Sequence, residues 1–246
     1  MATFSVILAA AGKSSRFRDK HYRKPFAPLA DRAVWLHSAE RFLNRSDVKQ
    51  LILVIRAEDR ESFNAKFSAN VAILGIEVVL GGEQRADSIA HALARVKPDI
   101  DYVAVHDAAR PCLVDQWIDN VFAAAEKTGA AILAVPVAST LKRVGPNSVI
   151  DQTVSRAGVW EAQTPQVFRR QLILDAYAKR RDPPPTDDAE LVERMGHPVH
   201  VVQGSPLNVK ITTRDDLQFA AAALKALPKP KFLGPTHPFA DDDMWR

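Results

Sequence analysis

Short apolar runs recur along the chain and predict strands that are buried on both faces. In chain order they are Phe4 to Leu8, Leu51 to Ile55, Ile76 to Leu80, Tyr102 to Val105 and Ala131 to Val135. Most of their residues are aliphatic, and the runs lack the polar alternation of a strand with one solvated face. Polar residues are concentrated in the segments between them.

Three of the other segments carry apolar residues at helical spacing. The sets are Ile89, Leu93 and Val96; Ile118, Val121, Phe122 and Ala125; and Leu217, Ala221 and Leu224. Gly129 is typical of the end of the second helix, and Thr213, three residues before Asp216, is typical of the start of the third. Strands that alternate with helices predict an α/β fold with a Rossmann-like, mostly parallel sheet and helices on both faces.

Residues 136–158 break this alternation. Two stretches of alternating polar and apolar residues flank Gly145-Pro146-Asn147, so the segment predicts a β-hairpin arm that leaves the main sheet. Because an isolated hairpin is barely stable in water, we expect this arm to pack against a second subunit in a homodimer. We expect one domain over residues 1–227, and we expect the proline-rich residues 228–246 to form an extended tail outside the core.

The composition is that of an ordinary globular protein. Of 246 residues, 47% are hydrophobic and 25% are charged, and the mean hydropathy is -0.14, which excludes disordered and collagen-like classes. No apolar stretch approaches the ~20 residues that cross a bilayer. The apolar run after Met1 lacks a basic leader, so we expect a first strand rather than a signal peptide. Cys112 is the only cysteine, which excludes an internal disulfide and favours the cytoplasm.

The charge narrows the class of ligand. The formal net charge is +4 and the sequence pI is about 9.2. The lysines and arginines are scattered among acidic residues and are not interleaved with aromatic ones, which argues against a nucleic-acid partner. Phosphorylated small molecules fit this distribution better.

Small-residue turns with basic side chains follow three of the predicted strands, at the sheet edge where ligands of such folds bind. Their sequences are LAAAGKSSR at residues 8–16, GGEQRADS at 81–88 and HDAARP at 106–111. Small residues let backbone N–H groups approach phosphates, and a helix N-terminus with nearby cations favours an anion. A P-loop and a GxGxxG motif are both absent, which disfavours a nicotinamide-dependent dehydrogenase. Together the turns predict a nucleoside triphosphate site, in which His106 makes a structural hydrogen bond and Cys112 is packed rather than reactive.

Motifs spread over residues 4 to about 225 resemble those of one enzyme family. They are AAAGKSSR, KPF, GGEQRADS, HDAARPC, STLKR, SRAGVWEAQTPQVF, TDDAELVERMG and NVKITTRDDL. The combination of HDAARPC, TPQ and NVKIT is the specific part, and it is similar to that of the 2-C-methyl-D-erythritol 4-phosphate cytidylyltransferases of isoprenoid biosynthesis. The resemblance implies the nucleotidyltransferase fold and the transfer of a cytidylyl group from CTP to the phosphate of methylerythritol phosphate, with Mg²⁺ and with release of pyrophosphate.

The same resemblance implies roles for individual residues. CTP would be held by Ala10, Ala11, Gly12, Gly82, Glu83, Arg85 and Ser88. The acceptor would be held by Asp107, Arg110, Thr140, Arg156 and Lys210, with Thr140 and Arg156 supplied by the arm of the partner. The catalytic residues would be Arg16 and Lys24, which stabilise the pentacoordinate α-phosphate, with Arg156 and Lys210. No metal ligand is assigned, although Asp107 is a candidate.

Two departures from the family pattern fall in the first turn. Ser14 replaces the usual second glycine, and the interval from Arg16 to Lys24 is one residue longer than expected. Lys20 or Arg23 could therefore take the role of Lys24.

Two other functions stay open at the level of the sequence. One is a cytidylyltransferase for a different polyol phosphate, such as ribitol 5-phosphate, because the motifs of the two enzymes overlap heavily. The other is a nucleotide-binding protein without turnover, against which the intact basic set of Arg16, Lys24, Arg156 and Lys210 argues.

Overall fold

The computed structural model of the chain describes residues 1–14, 17 and 22–228. Its strands are β1 (Phe4–Ala9), β2 (Pro28–Leu29), β3 (Arg32–Ala33), β4 (Val48–Ile55), β5 (Glu77–Leu80), β6 (Tyr102–Asp107), β7 (Ala130–Pro136), β8 (Leu141–Val144), β9 (Ile150–Val154), β10 (Trp160–Arg169) and β11 (His200–Gln203). Its α-helices are α1 (Val34–Leu43), α2 (Arg60–Leu74), α3 (Arg85–Leu93), α4 (Asp115–Thr128), α5 (Arg170–Ala178), α6 (Asp188–Arg194) and α7 (Arg214–Ala226).

Seven of the strands form one mixed, mostly parallel sheet in the order β11-β7-β10-β6-β1-β4-β5. β10 runs antiparallel to β6 and β7, whereas the other neighbours are parallel. All five strands predicted from the apolar runs are present in this sheet, as β1, β4, β5, β6 and β7. The predicted α/β fold is therefore confirmed, and β10 and β11 are strands that the apolar runs did not reveal.

Both faces of the sheet are covered, as the apolar runs predicted. Side chains of β1 alternate between the faces: Phe4, Val6 and Leu8 pack into one buried cluster with residues of α1, α2 and α4. Ile7 packs into the other cluster with residues of α3, α5 and α6. Because successive side chains of a strand point to opposite faces, such a strand is apolar at most positions, and the buried Ser5 is the exception, with its hydroxyl donating to the Gln50 Oε1.

The predicted helices are present, with small differences at their edges. α3 ends at Leu93, so Val96 lies beyond the helix, although it is buried. α7 begins as expected, because the Thr213 Oγ1 accepts a hydrogen bond from the Asp216 N–H at 3.3 Å. Its deepest side chains are Ala220 and Ala223, and the predicted Leu217, Ala221 and Leu224 pack around them. Within the described residues, every helix is too short or too polar to cross a membrane.

The predicted arm leaves the main sheet. β8 and β9 pair with each other as a separate antiparallel sheet. The turn between them extends past the predicted Gly145-Pro146-Asn147, since Asn147 and Ser148 both adopt a φ of 61°. Of the predicted tail, only Pro228 belongs to the described residues.

Two helix ends provide a test of how packing adds to backbone strain. Gly129 (φ 87°) ends α4 and Gly75 (φ 62°) ends α2, and both adopt the left-handed conformation that costs other residues roughly 1–2 kcal/mol. A Cβ on Gly75 would meet open space, whereas a Cβ on Gly129 would lie 3.3 Å from the His197 ring. We expect Gly75→Ala to lower the free energy of unfolding by about 1 kcal/mol and Gly129→Ala to lower it further. Urea unfolding measures both, and equal losses would contradict a contribution from His197.

Candidate active site

A cavity of about 390 Å³ lies at the carboxyl ends of β1, β5 and β6. The predicted site residues that line it are Ala11, Gly12, Lys24, Glu83, Arg85, Ser88, Asp107 and Lys210. Its charged lining consists of four basic side chains (Lys13, Lys24, Arg85 and Lys210) and two carboxylates (Glu83 and Asp107). The excess of positive charge suits an anionic ligand.

The turn after β1 brings two small residues and Lys13 to the cavity. Ala11 and Gly12 line it, whereas Ala10 is buried in the core and its N–H donates to the Val54 carbonyl at 2.9 Å. Ser14 adopts a φ of 53°, in the region that glycine occupies most easily. This conformation explains why glycine suits that position. The predicted Arg16 lies outside the described residues.

Lys24 is held beside the first turn by its backbone. Its N–H donates to the Ser14 Oγ at 3.3 Å, a contact that a glycine at position 14 lacks. Arg23, one of the alternatives to Lys24, points elsewhere: its Nε lies 3.0 Å from the Asp59 Oδ1, and its Nη1 donates to the Lys13 carbonyl. Lys20, the other alternative, lies outside the described residues. Of Lys24 and Arg23, Lys24 is the one that lines the cavity.

The glycine-rich loop of residues 81–84, between β5 and α3, is fixed by side chains of the first turn of α3. The Gly82 N–H donates to the Ser88 Oγ at 3.1 Å, and this hydroxyl donates to the Gln84 carbonyl. A Cβ on Gly82 would overlap the Cβ of Asp87, so only glycine fits there. Gly82 lines an adjoining cavity of about 400 Å³, which shares Ala11 and other residues with the first.

The Asp107 carboxylate is the centre of the charged network. Its Oδ2 lies 2.7 Å from the Lys210 Nζ and 3.5 Å from the Arg110 Nε, and its Oδ1 lies 3.9 Å from the Arg85 Nη2. Burial acts to raise the pKa of Asp107, but the charges of Lys210, Arg85 and Arg110 outweigh it and hold the pKa well below its usual range. The carboxylate is therefore ionised at neutral pH.

Arg110 supports the site from behind. Its side chain is largely buried, outside the lining of the cavity, and its Nη1 donates to the Asn208 carbonyl at 2.7 Å. The Asn208 side chain in turn donates to the Gln163 Oε1 and the Thr164 carbonyl. These bonds join three predicted motifs, HDAARPC, TPQ and NVKIT.

His106 is a structural residue, as predicted. The Thr164 Oγ1 accepts from the Asp107 N–H at 3.0 Å, so its own proton is available to the His106 Nδ1 at 3.0 Å. The His106 Nε2 then donates to the Arg110 carbonyl at 3.1 Å. Complete burial lowers the pKa of His106 to about 4, so the imidazole is neutral at pH 7. Cys112 is buried as expected, and burial raises its pKa to about 12, which keeps the thiol protonated.

Asp188 is a site residue that the sequence reasoning missed. It is fully buried, and its Oδ2 accepts from the Arg85 Nη2 at 2.7 Å while its Oδ1 accepts from the Tyr177 hydroxyl at 2.5 Å. Burial lowers the pKa of Arg85, but Asp188 and Asp107 outweigh it, so the net pKa is raised. The only sequence signal was the acidic pair in the TDD segment, and its partner Arg85 lies 103 positions away.

Thr140 and Arg156 lie on the arm and do not line the cavity of their own chain. Thr140 precedes β8 and Arg156 follows β9, so both are at the base of the hairpin. The Arg156 Nη1 donates to the Ala138 carbonyl. The structure therefore separates these two residues from the other predicted site residues that it describes.

The two carboxylates that line the cavity suit a metal ion that is held mainly by the phosphates of a bound substrate and by water. Among the described residues, no cluster of three or more His, Cys, Asp or Glu side chains could hold an ion alone. Asp107 already has three cationic neighbours. Mg²⁺ is often held by one or two carboxylates with substrate phosphates and water, and this donor set fits that mode.

The chain is similar in sequence to proteins of one family. The profile described as IspD: 2-C-methyl-D-erythritol 4-phosphate cytidylyltransferase matches residues 4–226. The 2-C-methyl-D-erythritol 4-phosphate cytidylyltransferase of Rhodopirellula baltica is 42% identical over 234 residues, which cover 91% of this chain and 95% of that protein. The protein of the same name from Bacillus pumilus is 38% identical over 226 residues, with coverage of 91% and 97%.

Solved structures show the same likeness. A crystal structure of 4-diphosphocytidyl-2C-methyl-D-erythritol synthase matches with a TM-score of 0.77 at 28% identity, over 91% of this chain and 99% of that chain. The 2-C-methyl-D-erythritol 4-phosphate cytidylyltransferase of Thermus thermophilus matches with a TM-score of 0.74 at 29% identity, over 92% and 100%. The resemblance in motifs and the nucleotidyltransferase fold are both confirmed.

The neutral state of His106 predicts a loss of stability in acid. The unfolded chain takes up a proton on this residue below pH ~6.5, whereas the folded chain does so only near pH 4, so folding weakens as the pH falls through this interval. We expect up to about 1.4 kcal/mol per pH unit from this residue. Urea unfolding from pH 7 to 4 should show a shallower decline for His106→Gln than for the parent.

The exposed His200 provides the matched control, because His200→Gln makes the same change of residue type at the surface. NMR titration of the imidazole provides a measurement that needs no variant. A His106 resonance that titrates near pH 6.5 in the folded protein would contradict the assignment.

Proposed function

Because this chain belongs to the 2-C-methyl-D-erythritol 4-phosphate cytidylyltransferase family, we propose that it transfers the cytidylyl group of CTP to the phosphate of 2-C-methyl-D-erythritol 4-phosphate, with release of pyrophosphate. It is a nucleotidyltransferase, and CTP is its co-substrate. The observation that carries the assignment to the cavity is its surplus of basic side chains at the carboxyl ends of β1, β5 and β6.

The two reactants carry negative charge, and this fact decides what the site must provide. A phosphate monoester has a second pKa near 6, so it is already largely a dianion at pH 7 and needs no strong general base to attack another phosphate. The neutral, buried His106 is consistent with a site that lacks such a base. Reactions of this kind depend on alignment and charge neutralisation.

The nucleotide is assigned to the turns after β1 and β5. Ala11 and Gly12 in the first turn lack bulky side chains, so backbone N–H groups there can approach the ligand closely. Gly82 in the second turn leaves room for the ligand, while its own N–H donates to the Ser88 Oγ. Glu83, Arg85 and Ser88 complete this group. Ala10 does not offer its N–H to the nucleotide, because this group donates to the Val54 carbonyl in the core.

The reacting phosphates are assigned to the basic side chains around Asp107. Lys24, with Arg16, neutralises the charge that develops on the α-phosphate. Lys210 orients the acceptor phosphate, and its position is fixed by the Asp107 carboxylate at 2.7 Å. Arg110 contributes by holding Asp107 and the Asn208 carbonyl rather than through the cavity wall.

Asp107, together with the phosphates of the nucleotide, would hold a divalent metal ion such as Mg²⁺. The ion would supply charge neutralisation of the phosphates and of the leaving pyrophosphate. The contribution of the chain is the basic wall that holds the phosphates in line.

The arm is assigned to a homodimer. Apolar side chains on or beside it are exposed in the single chain: Val144 (53%), Val149 (62%), Ile150 (57%) and Trp160 (42%). Burial of apolar surface of this kind is typical of obligate interfaces. Thr140 and Arg156 would then complete the acceptor site of the partner. The single buried cysteine, Cys112, supports a cytoplasmic location.

One assay tests the reaction. The purified protein is incubated with each nucleoside triphosphate and a panel of polyol phosphates that includes ribitol 5-phosphate, and pyrophosphate release is measured with Mg²⁺ and with a chelator. We expect release only with CTP, methylerythritol phosphate and metal together. Preference for ribitol 5-phosphate would overturn the acceptor, and CTP binding without any release would favour a protein that binds nucleotide without turnover.

Lys24→Ala should separate catalysis from binding. Its charge acts mainly in the transition state, so we expect turnover to fall about 10- to 100-fold, while the Kd for CTP changes less than about threefold. Single-turnover kinetics and calorimetry measure the two quantities. Lys127→Ala, on the exposed surface of α4, is the control. Near-normal turnover of Lys24→Ala would show that another base takes this role.

A shared site predicts complementation between two variants of low activity. In a dimer of one Lys24→Ala chain and one Arg156→Ala chain, one cavity has both substitutions and the other has neither. We therefore expect mixed dimers to regain about half of the wild-type activity per dimer, as two-fold symmetry requires. If verified mixed dimers stay inactive, Arg156 does not act across subunits.

A further inference from the structure

An ion pair outside the cavity reaches the glycine-rich loop of residues 81–84 from a distant part of the chain. Arg180 lies just after α5, and its Nη2 is 2.6 Å from the Oδ1 of Asp87, which is 93 positions away. Neither residue lines the cavity at the proposed CTP site. The pair is therefore available for a role other than contact with substrate.

Asp87 is the side chain on which this loop rests. Its Oδ2 accepts a hydrogen bond from the Gln84 N–H at 3.1 Å, at the start of α3. Its Cβ occupies the space that a Cβ on Gly82 would need, so the loop is folded directly against it. Movement of Asp87 would therefore be transmitted to Gly82, Glu83 and Gln84.

Arg180 restrains the remaining freedom of this carboxylate. The last torsion of an aspartate side chain is broad, so one hydrogen bond from Gln84 leaves the carboxylate free to rotate. With Gln84 on Oδ2 and Arg180 on Oδ1, both oxygens are held. The Arg180 Nη2 makes the hydrogen bond to Asp87, while its Nη1 is buried without a hydrogen-bond partner among the described residues.

The exposure of the pair argues against a role in overall stability. Both side chains are 31% exposed, and ion pairs at such positions contribute only about 0–1 kcal/mol to folding. Removal of the pair should therefore leave the fold intact while it loosens the loop. This difference makes a positioning role measurable.

We propose that Arg180 and Asp87 are positioning residues, which hold the glycine-rich loop in the conformation that receives the nucleotide. The inference rests on the proposed function in so far as CTP is assigned to this loop. Substrate affinity rather than the chemical step should depend on the pair, because neither residue touches the reacting groups.

The test compares Arg180→Ala with Arg181→Ala. Arg181 is the adjacent, exposed arginine, whose side chain forms no ion pair with the described residues. We expect Arg180→Ala to raise the Kd and KM for CTP about three- to tenfold. This range corresponds to the loss of one charge-assisted hydrogen bond, reduced because the pair is partly exposed to solvent. We expect kcat and the melting temperature to stay nearly unchanged. We expect Arg181→Ala to change none of these and Arg180→Lys to restore part of the affinity. An Arg180→Ala variant with the affinity of the parent would overturn the effect of the pair on nucleotide binding.

Hydrogen exchange of the nucleotide-free protein separates this proposal from the proposed function. We expect faster exchange at residues 82–88 in Arg180→Ala and in Asp87→Asn, with the two effects not additive in the double variant, because the residues act as one unit. Unchanged exchange would overturn the positioning role whatever the enzyme does. Faster exchange with unchanged CTP affinity would support the positioning of the loop and overturn the assignment of CTP to it.

Discussion

The Asp107 carboxylate and the cations around it hold the candidate site together. A buried carboxylate is stable only when positive groups surround it, and here Lys210, Arg110 and Arg85 come from three separate parts of the chain. Each cation is drawn to the same point, so the segment after β6, the segment before α7 and the start of α3 are fixed relative to one another. The carboxylate neutralises part of the positive charge, and the cavity lining as a whole still has more basic than acidic side chains, which suits an anionic ligand.

A group of uncharged, hydrogen-bonded side chains lies next to Asp107 and its cations. His106, Thr164, Gln163 and Asn208 are almost completely buried, and hydrogen bonds connect them without any net charge. Burial favours the neutral imidazole of His106, whereas its contacts with Thr164 and the Arg110 carbonyl favour the charged form, and burial outweighs them. This group of hydrogen-bonded residues therefore adds no charge of its own to the site. This arrangement suits a reaction that needs charge neutralisation more than proton transfer.

The loops that form the cavity wall are fixed by residues outside it. Asp188 holds Arg85, Ser14 holds the backbone of Lys24, and Asp59 holds Arg23 away from the cavity. The Asp87–Arg180 pair has the same relation to the glycine-rich loop. In each case a contact between separate segments sets the direction of a side chain or turn. A single chain does not bring Thr140 and Arg156 to the other site residues, which is why the arm matters to the proposed mechanism.

The sequence by itself determined the features that depend on neighbouring residues. Apolar runs revealed five strands of the sheet, Gly129 and Thr213 marked helix ends, and the residues around Gly145 predicted the arm, because strand, helix and turn preferences act over a few positions. The motifs also located most of the residues that line the cavity. β10, whose pattern gave no apolar run, was missed. Only the tertiary structure decided that Lys24 rather than Arg23 faces the cavity, that Arg110 lies behind it, and that Asp188 belongs to the site. These outcomes depend on charges brought together from distant segments, and the physical reason is that such encounters are set by how helices and loops pack, for which the local sequence carries no signal.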